Sequence, residues 1–301
     1  MLRKIWLFGL LAIVLTALIS WSFANPQKQE KGKKTADRGP VVIAHISDTH
    51  LGLERAPDAA ENLRKVVQMV NDRNPDAVIV TGDIGERPEA WEQAREILRG
   101  LKAKMFVIPG NHDVNQKNID SWRSYWGKDY DEFHIKYVTI FGLDSQLLGN
   151  YDQFHAREPL PLSDKNAAES KKMLDWLAKE IADEKNERDS QVILAMQHVP
   201  NSRADGGAFP HDPKPYWTTQ EPYRSRALEL VHRLGVKHML VGHWHKGMVY
   251  KADDITYHVA PSTSWTDWDD HLGFAVHTVT PDGDVKTEFV SIPGADLHST
   301  H

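Results

Sequence analysis

The chain has 301 residues, 41% hydrophobic and 26% charged, which is enough for one large domain with a full core or for two small ones. It contains no cysteine, which excludes disulfides, thiolate metal sites and a cysteine nucleophile, so any metal must have nitrogen and oxygen ligands. The formal net charge of -6 argues against a dedicated nucleic-acid platform, because such proteins usually carry a basic surface.

The N-terminus has the pattern of an export signal. Basic residues at positions 3 and 4 precede an apolar run over 5–20, and Ser-Phe-Ala at 22–24 offers the small residues that a signal peptidase requires. Residues 1–24 therefore predict a cleaved signal peptide or, because they are about long enough to span a bilayer, a membrane anchor. A cleaved signal peptide predicts export to the periplasm or the cell exterior, and an anchor predicts attachment to the membrane. Residues 25–39 lack apolar periodicity and predict a disordered linker.

From residue 40 onward, predicted strands and helices alternate. Short apolar runs at 41–47, 77–81 and 104–108 predict buried strands. The segments 59–71 and 89–101 between them carry the apolar spacing of helices with one buried face. The order βαβαβ indicates an α/β fold with a parallel sheet.

The second half continues this alternation and then ends in strands alone. Helices are predicted at 120–125, 163–182 and 223–234, and strands within 133–143 (two in succession) and at 192–196, 238–241, 248–251, 256–260, 273–279 and 285–291. Asp282-Gly283 predicts a hairpin turn between the last two strands. The stretches 147–162 and 201–222 predict long loops, which in compact domains are usually functional lids or disordered inserts.

Side chains able to bind metal follow five of the predicted strands. These segments are Asp48-Thr49-His50, Gly82-Asp83-Ile84-Gly85-Glu86, Gly110-Asn111-His112-Asp113, His198 and Gly242-His243-Trp244-His245. Each segment alone is compatible with a turn, a helix cap or, for His198, a satisfied core histidine. Because ligands of α/β sheets bind outside the carboxyl ends of the strands, the five together predict one shared site.

The number of donors predicts more than one metal ion. The candidate ligands are Asp48, His50, Asp83, Asn111, His198, His243 and His245. A tetrahedral ion takes only four ligands, so two ions that share a bridging carboxylate fit this set better. Such a pair can activate a hydroxide and hold both oxygens of a phosphoryl displacement. Mixed nitrogen and oxygen sites accept Mn, Fe, Zn or Co, and the sequence leaves this choice open.

The ordered motifs DTH, GDIGE, GNHD, QH and GHWH resemble those of the calcineurin-like metallophosphoesterases, over about residues 41–291. The resemblance implies a four-layer α-β-β-α sandwich of two mixed sheets flanked by helices. The catalytic domain would span 40–293, followed by a tail over 294–301. The implied ligands of one metal are Asp48, His50, Asp83 and His245, and those of the other are Asp83, Asn111, His198 and His243.

The same resemblance implies a catalytic role for His112. This histidine would not bind metal but would contact the phosphoryl group and assist departure of the leaving group. Glu86, three residues after the bridging Asp83, would orient it, although its side chain is longer than the usual aspartate of the family. Gly242 would allow the backbone to come close to the site.

Other motifs leave the substrate open. GDIGERP differs from the motif of the protein phosphatases similar to calcineurin, and the tyrosine of the purple acid phosphatases is missing after GDI. The segment WGKDYDEFHIKYVTIFGLDSQ, with QHVPNS, is similar to a branch associated with phosphoprotein dephosphorylation, whereas APSTS is similar to class III cyclic-nucleotide phosphodiesterases.

The predicted function is an exported binuclear-metal hydrolase of phosphomonoesters or phosphodiesters. The alternatives are a cyclic-nucleotide phosphodiesterase, a phosphoprotein phosphatase, or a non-catalytic exported module on this fold. The intact ligand set speaks against the module. The expected partner is a small-molecule or protein phosphoester, and the sequence does not give the oligomeric state.

Candidate substrate contacts are Trp244, Arg203 and His211, the last two from the long loop at 201–222. Trp244 could form a wall of the site or pack under the loops. The same two possibilities apply to Trp217, Trp265 and Trp268. Structural or solvent-exposed roles are expected for His45, His232, His277, His298 and His301.

Overall fold

The computed structural model describes residues 38–86, 88–183, 192–204, 207–268 and 271–295. The predicted signal peptide or anchor, nearly all of the predicted linker and residues 296–301 of the tail lie outside the described residues. No helix in these described ranges combines the length and the apolar character that a membrane crossing requires.

The described residues form the predicted strands and helices, with boundaries that differ by a few residues. In chain order these are β1 Val41–Ile46, α1 Ala59–Arg73, β2 Ala77–Val80, α2 Pro88–Leu98, β3 Lys104–Val107, α3 Ile119–Tyr125, β4 Asp131–Ile135, β5 Val138–Gly142, α4 Asp164–Asp183, β6 Val192–Met196, α5 Tyr223–Arg233, β7 His238–Val241, β8 Met248–Ala252, β9 Ile255–Val259, β10 Gly273–Val279 and β11 Val285–Ser291. Single 3-10 turns lie in the two long loops, at Ser145–Leu147 and Pro215–Trp217.

The strands form two mixed sheets. In the first, with order β11-β10-β1-β2-β3, the three strands β1, β2 and β3 are parallel and the hairpin β10–β11 adds antiparallel strands beside β1. In the second, with order β4-β5-β6-β7-β9-β8, the strands β5, β6, β7 and β9 are parallel and the outer strands are antiparallel. The predicted α/β class is therefore confirmed, and the parallel strands of both sheets carry the polar segments.

Strand alternation divides the core into layers. Ile43 of β1 and Leu194 of β6 belong to an apolar cluster between the two sheets. The neighbouring Ala44 faces the other way and packs with Leu63 of α1. On the second sheet, α4 covers the outer face, and the rings of Phe141 and Trp176 lie 6.0 Å apart. These contacts produce the predicted four layers.

A chain of buried histidines links the two sheets. The rings of His45 on β1 and His277 on β10 share a hydrogen bond of 3.0 Å. The hydroxyl of Thr287 on β11 lies 2.9 Å from Nδ1 of His277 and 2.7 Å from Nδ1 of His258 on β9. These contacts confirm the structural role predicted for His45 and His277.

Burial lowers the pKa of His45 and of His258 to about 3, and it lowers the pKa of His277 well below its ordinary value. In the unfolded chain each imidazole has a pKa of about 6.5. As the pH falls below about 6.5, the unfolded chain takes up protons that the folded chain excludes, so these histidines cost stability in acid.

We predict that replacing His258 by glutamine flattens the pH dependence of folding stability. The free energy of unfolding should fall less steeply between about pH 6 and 4 than in the parent, by up to roughly 1.4 kcal/mol per pH unit. Urea unfolding at several pH values measures this slope. The control His134→Gln changes a histidine whose side chain is 61% exposed and should retain the parent slope. Equal slopes for all three proteins would contradict the prediction.

Candidate functional site

The polar segments after the strands meet at one edge of the two sheets. The backbone N–H of Asp48 donates to the Gly82 carbonyl at 3.1 Å, and that of Gly242 donates to the His198 carbonyl at 3.0 Å. The carboxylate of Asp48 then accepts a hydrogen bond from the backbone N–H of His243, with N–O distances of 3.1 and 3.2 Å. One carboxylate thus joins the first sheet to the second directly at the site.

The first group of potential metal donors combines Asp48, His50, Asp83 and His245. Nε2 of His245 lies 3.2 Å from Oδ1 of Asp48 and 3.0 Å from Nε2 of His50. Nε2 of His50 lies 3.5 Å from Oδ2 of Asp83. These are the four ligands that the resemblance assigns to one metal.

The second group shares Asp83 and adds His198 and His243. Nε2 of His198 lies 3.2 Å from Oδ2 of Asp83 and 3.1 Å from Oδ1 of Asn111. The structure therefore brings together all seven predicted ligands, with Asp83 between the two groups and the pair His243 and His245 divided across them.

The hydrogen bonds behind the imidazoles direct lone pairs into the site. Nδ1 of His50 lies 2.8 Å from the Glu86 carboxylate, and Nδ1 of His245 lies 2.9 Å from the Trp265 carbonyl. Both partners only accept hydrogen bonds from a neutral imidazole, so each Nδ1 carries the proton and each Nε2 presents a lone pair. Two lone pairs 3.0 Å apart repel one another. A cation between them removes this repulsion, so the donor set fits a metal.

Asp48 and Asp83 remain ionised although they are buried, because neighbouring histidines lower the pKa of each carboxyl group. Burial would raise the pKa of Asp83, but His198, His112 and His50 lower it well below its ordinary value. Burial would likewise lower the pKa of His198, but the Asp83 charge dominates and raises it to about 9. A metal cation would compete with this proton for Nε2 of His198.

Five of the predicted ligands have a strained backbone. The φ angles are 53° at Asp48, 40° at His50, 50° at Asp83, 69° at His243 and 51° at His245. L-residues rarely occupy this left-handed region, which costs of order 1–3 kcal/mol per residue and is concentrated at functional sites. The fold therefore holds these ligands at the expense of local stability.

Two glycines are required by close packing at the site. A Cβ atom at Gly110 would overlap the side chain of Asp83, and one at Gly242 would overlap the hydroxyl of Ser47. The prediction that a glycine at position 242 allows the backbone to come close to the site is therefore confirmed.

Glu86 connects His112 to the first donor group. Oε2 of Glu86 lies 2.9 Å from Nδ1 of His112, while Oε1 lies 2.8 Å from Nδ1 of His50. Burial would lower the pKa of His112, but the charges of Asp83 and Glu86 raise it to about 9. The longer glutamate thus reaches the position where the resemblance places an orienting acid, and it leaves a protonated Nε2 of His112 available to a ligand.

Asp113 holds the loops after β2 and β3 together, a role that sequence reasoning missed. Its buried carboxylate accepts hydrogen bonds from the backbone N–H groups of Ile84, Gly85 and Gly110 at 3.0 to 3.3 Å. Nε1 of Trp91 donates to the same carboxylate at 3.1 Å. No motif distinguishes this acid from a ligand, and only the packing of the loops reveals its role.

Tyr216 is a second residue that sequence reasoning missed. Its hydroxyl accepts a hydrogen bond of 2.9 Å from Nδ2 of Asn111, which directs Oδ1 of Asn111 toward His198. Its carbonyl accepts a hydrogen bond of 2.8 Å from Nε2 of His243. The loop 201–222 therefore reaches the second donor group, and the only sequence signal was its aromatic content.

Trp244 lies in the core and forms no wall of the site, contrary to one of the two expectations for it. Its side chain is fully buried, its Nε1 donates to the Trp217 carbonyl at 2.9 Å, and its ring stacks on Tyr250 at 5.1 Å. This segment follows the end of β7 at Val241, and the left-handed backbone at His243 and His245 accompanies the placement of both imidazoles in the site and of the indole in the core.

The other candidate contacts lie outside the donor groups. Nε of Arg203 donates to the Pro210 carbonyl at 2.8 Å, so this guanidinium stabilises the long loop itself. His211 is exposed on the same loop. By contrast, the ring of Trp265 lies 4.0 Å from that of His245 and forms part of the wall of the first donor group.

A sequence profile described as calcineurin-like phosphoesterase matches residues 41–247. The chain belongs to the calcineurin-like phosphoesterase family. A relative from Fibrobacter succinogenes, described as a probable cyclic nucleotide phosphodiesterase, is 25% identical over 74% of this chain and 80% of its own length. A zebrafish relative, the serine/threonine-protein phosphatase CPPED1, is 22% identical over 80% of this chain and 82% of its own length.

A further relative of this phosphoesterase, from Arcobacter nitrofigilis, is described as a probable glycerophosphodiester phosphodiesterase and is 27% identical over 53% of this chain and 58% of its own length. Among solved structures, a dimetal phosphatase from zebrafish has the same fold, with a TM-score of 0.61, 14% identity and coverage of 85% of this chain and 100% of its own. These relatives support a metal-dependent phosphoric ester hydrolase.

We predict that Tyr216→Phe weakens metal binding at the second donor group. Loss of the hydroxyl frees the Asn111 amide to rotate, and loss of such an orienting hydrogen bond typically costs about tenfold or more in metal affinity. Calorimetric titration with Mn²⁺ measures the effect without relying on activity. The control Tyr130→Phe alters a tyrosine packed on Trp176, 5.1 Å away between ring centroids, and should bind as the parent does. Parent-like Mn²⁺ affinity in Tyr216→Phe would refute the positioning role.

Proposed function

We propose that this calcineurin-like phosphoesterase hydrolyses small phosphodiesters outside the cytoplasm. The observation that carries the diester assignment is a cavity of about 460 Å³ beside His112. Its lining residues, among those that the structure describes, include Asn111, Tyr151 and Tyr216 but neither lysine nor arginine. A dianionic monoester is usually held by such cations, whereas the diester monoanion needs fewer of them and requires room for a second ester group.

His112 and Glu86 supply the proton that the leaving oxygen needs. With Nδ1 of His112 donating to Glu86, Nε2 carries a transferable proton that can face a substrate. Departure of an alkoxide is slow without protonation, and a positioned acid typically contributes about 10²–10⁴-fold. Glu86 also fixes the ring orientation, because each of its two oxygens contacts a different histidine.

The two donor groups would bind two metal ions, for which Mn, Fe, Zn and Co are all compatible with the ligands. Bound there, the ions would supply charge neutralisation at the phosphoryl oxygens and activation of a water nucleophile. The chain itself contributes the shared carboxylate of Asp83, which keeps both groups adjacent, and the Asn111 amide, which Tyr216 orients.

We predict that His112→Ala retains metal but loses activity. The rate on cyclic AMP, whose leaving group is an alkoxide, should fall about 10²–10⁴-fold because the acid is removed, while metal content stays constant because His112 belongs to neither set of predicted ligands. The Glu86→Gln variant should lose part of the hydrolysis rate. The control His134→Gln alters another histidine near a glutamate, with Nε2 3.5 Å from Glu132, and should retain full activity.

The same assay tests the competing functions. Turnover of 4-nitrophenyl phosphate or a phosphopeptide in preference to the diester would favour a phosphatase, as one zebrafish relative is named. Absence of turnover with every substrate, in a protein that binds no metal, would favour a non-catalytic module. A His112→Ala variant as fast as its parent would refute the role of this residue.

We predict export from the pattern of residues 1–24. Expression of the full chain in a Gram-negative host should place it in the periplasm with the first 24 residues removed, or in the membrane fraction at full mass if they act as an anchor. Fractionation followed by intact mass measurement distinguishes the two outcomes. Full-length protein in the cytoplasm would contradict export.

A further inference from the structure

We propose that the cavity beside His112 is a subsite for a planar, uncharged aromatic ring on the leaving alcohol, with Phe154 and Tyr216 as its specificity-determining residues. Aryl or nucleoside esters would then be preferred over aliphatic esters such as those of glycerol. This inference rests on the proposed phosphodiester hydrolysis, since it assigns the group that occupies one side of the same site.

The walls of the cavity are aromatic on three sides. Phe154 meets Tyr216 edge to face, with ring centroids 5.0 Å apart and planes at 83°. Tyr151 meets the same Tyr216 at 6.3 Å and 82°. Because aromatic rings attract a further ring in stacked or edge-to-face geometry, this arrangement suits a planar group, and a volume of about 460 Å³ accommodates one with its linker.

Phe154 exposes apolar surface to water, which is unfavourable, and a bound ring would cover this surface. Its side chain is 41% exposed, and Phe154 is one of three large hydrophobic residues exposed among the described residues, with Val249 and Trp268. Burying such a ring against a ligand is favourable by roughly 25 cal/mol for each Å² of apolar surface removed from water. Of these three residues, Phe154 is the one that lines the cavity beside His112.

The position of the cavity assigns its occupant to the leaving side. His112, the proposed proton donor to the leaving oxygen, lines the cavity together with Asn111. Tyr216 connects the two functions, because its ring forms the wall while its hydroxyl accepts the hydrogen bond from Asn111. A group in this cavity is therefore attached to the oxygen that His112 protonates.

A lysine already placed on the Phe154 ring favours a neutral ligand ring over a cationic group. Aromatic walls can also bind a quaternary ammonium, but Nζ of Lys214 already lies 4.2 Å from the centre of the Phe154 ring. The remaining polar lining groups, Asn115 and Asp152, offer hydrogen-bond acceptors to an amine or hydroxyl on the ring.

Binding of non-hydrolysable phosphonates to the Mn-loaded protein tests the subsite. The parent should bind benzylphosphonate about tenfold more tightly than propylphosphonate, which corresponds to about 1.4 kcal/mol, within the range of base–aromatic stacking. Phe154→Ala should abolish this difference, and Phe154→Leu, which keeps apolar bulk but not the ring, should abolish most of it. The control Val249→Ala removes an exposed apolar side chain on β8 and should preserve the difference.

Further ligands show which kind of ring the subsite binds, and some outcomes would overturn the inference. Adenosine 5′-monophosphate binding like benzylphosphonate would assign the subsite to a nucleobase, whereas binding like propylphosphonate would assign it to a simple aryl group. Equal affinities of the parent for benzyl- and propylphosphonate, or a preference for 2-(trimethylammonio)ethylphosphonate, would overturn the inference. Hydrolysis of bis(4-nitrophenyl) phosphate by the parent reports separately on the proposed function, so the two can fail independently.

Discussion

The convergence of buried electron-pair donors on Asp83 is the constraint on which the rest of the structure depends. Two ionised carboxylates and inward-facing imidazole nitrogens lie within about 3.5 Å of one another in a buried site. Such a cluster is costly to bury unless a cation compensates its charge. The surrounding fold therefore has to hold the donors in place and retain a place for positive charge.

Several features of the fold serve this requirement. Left-handed backbone conformations turn the ligands inward at the strand ends, and glycines allow the neighbouring loops to approach. Asp113 ties the loops after β2 and β3 together from behind, while the Asp48 carboxylate joins the two sheets. Strain at the ligands is thus balanced by hydrogen bonds in a second layer, which is the usual arrangement around a metal site.

The open side of the site is formed by loops rather than by the sheets. Tyr216 from one loop and Phe154 from another surround His112, and Trp265 from a third lies against His245. The strand ends thus position the candidate metal donors, whereas these loops form the surface that a substrate would meet.

The sequence by itself determined the α/β class, the order of strands and helices, and the strand-end segments that carry the candidate donors, because apolar periodicity and strand-end motifs are local signals. The tertiary structure decided what depends on contacts between distant segments. Trp244 was ambiguous from its neighbours, and only packing against Tyr250 placed it in the core. Asp113 and Tyr216 carry no local signal, because their roles depend on hydrogen bonds to distant residues such as Ile84 and Asn111, which lie 29 and 105 positions away along the chain.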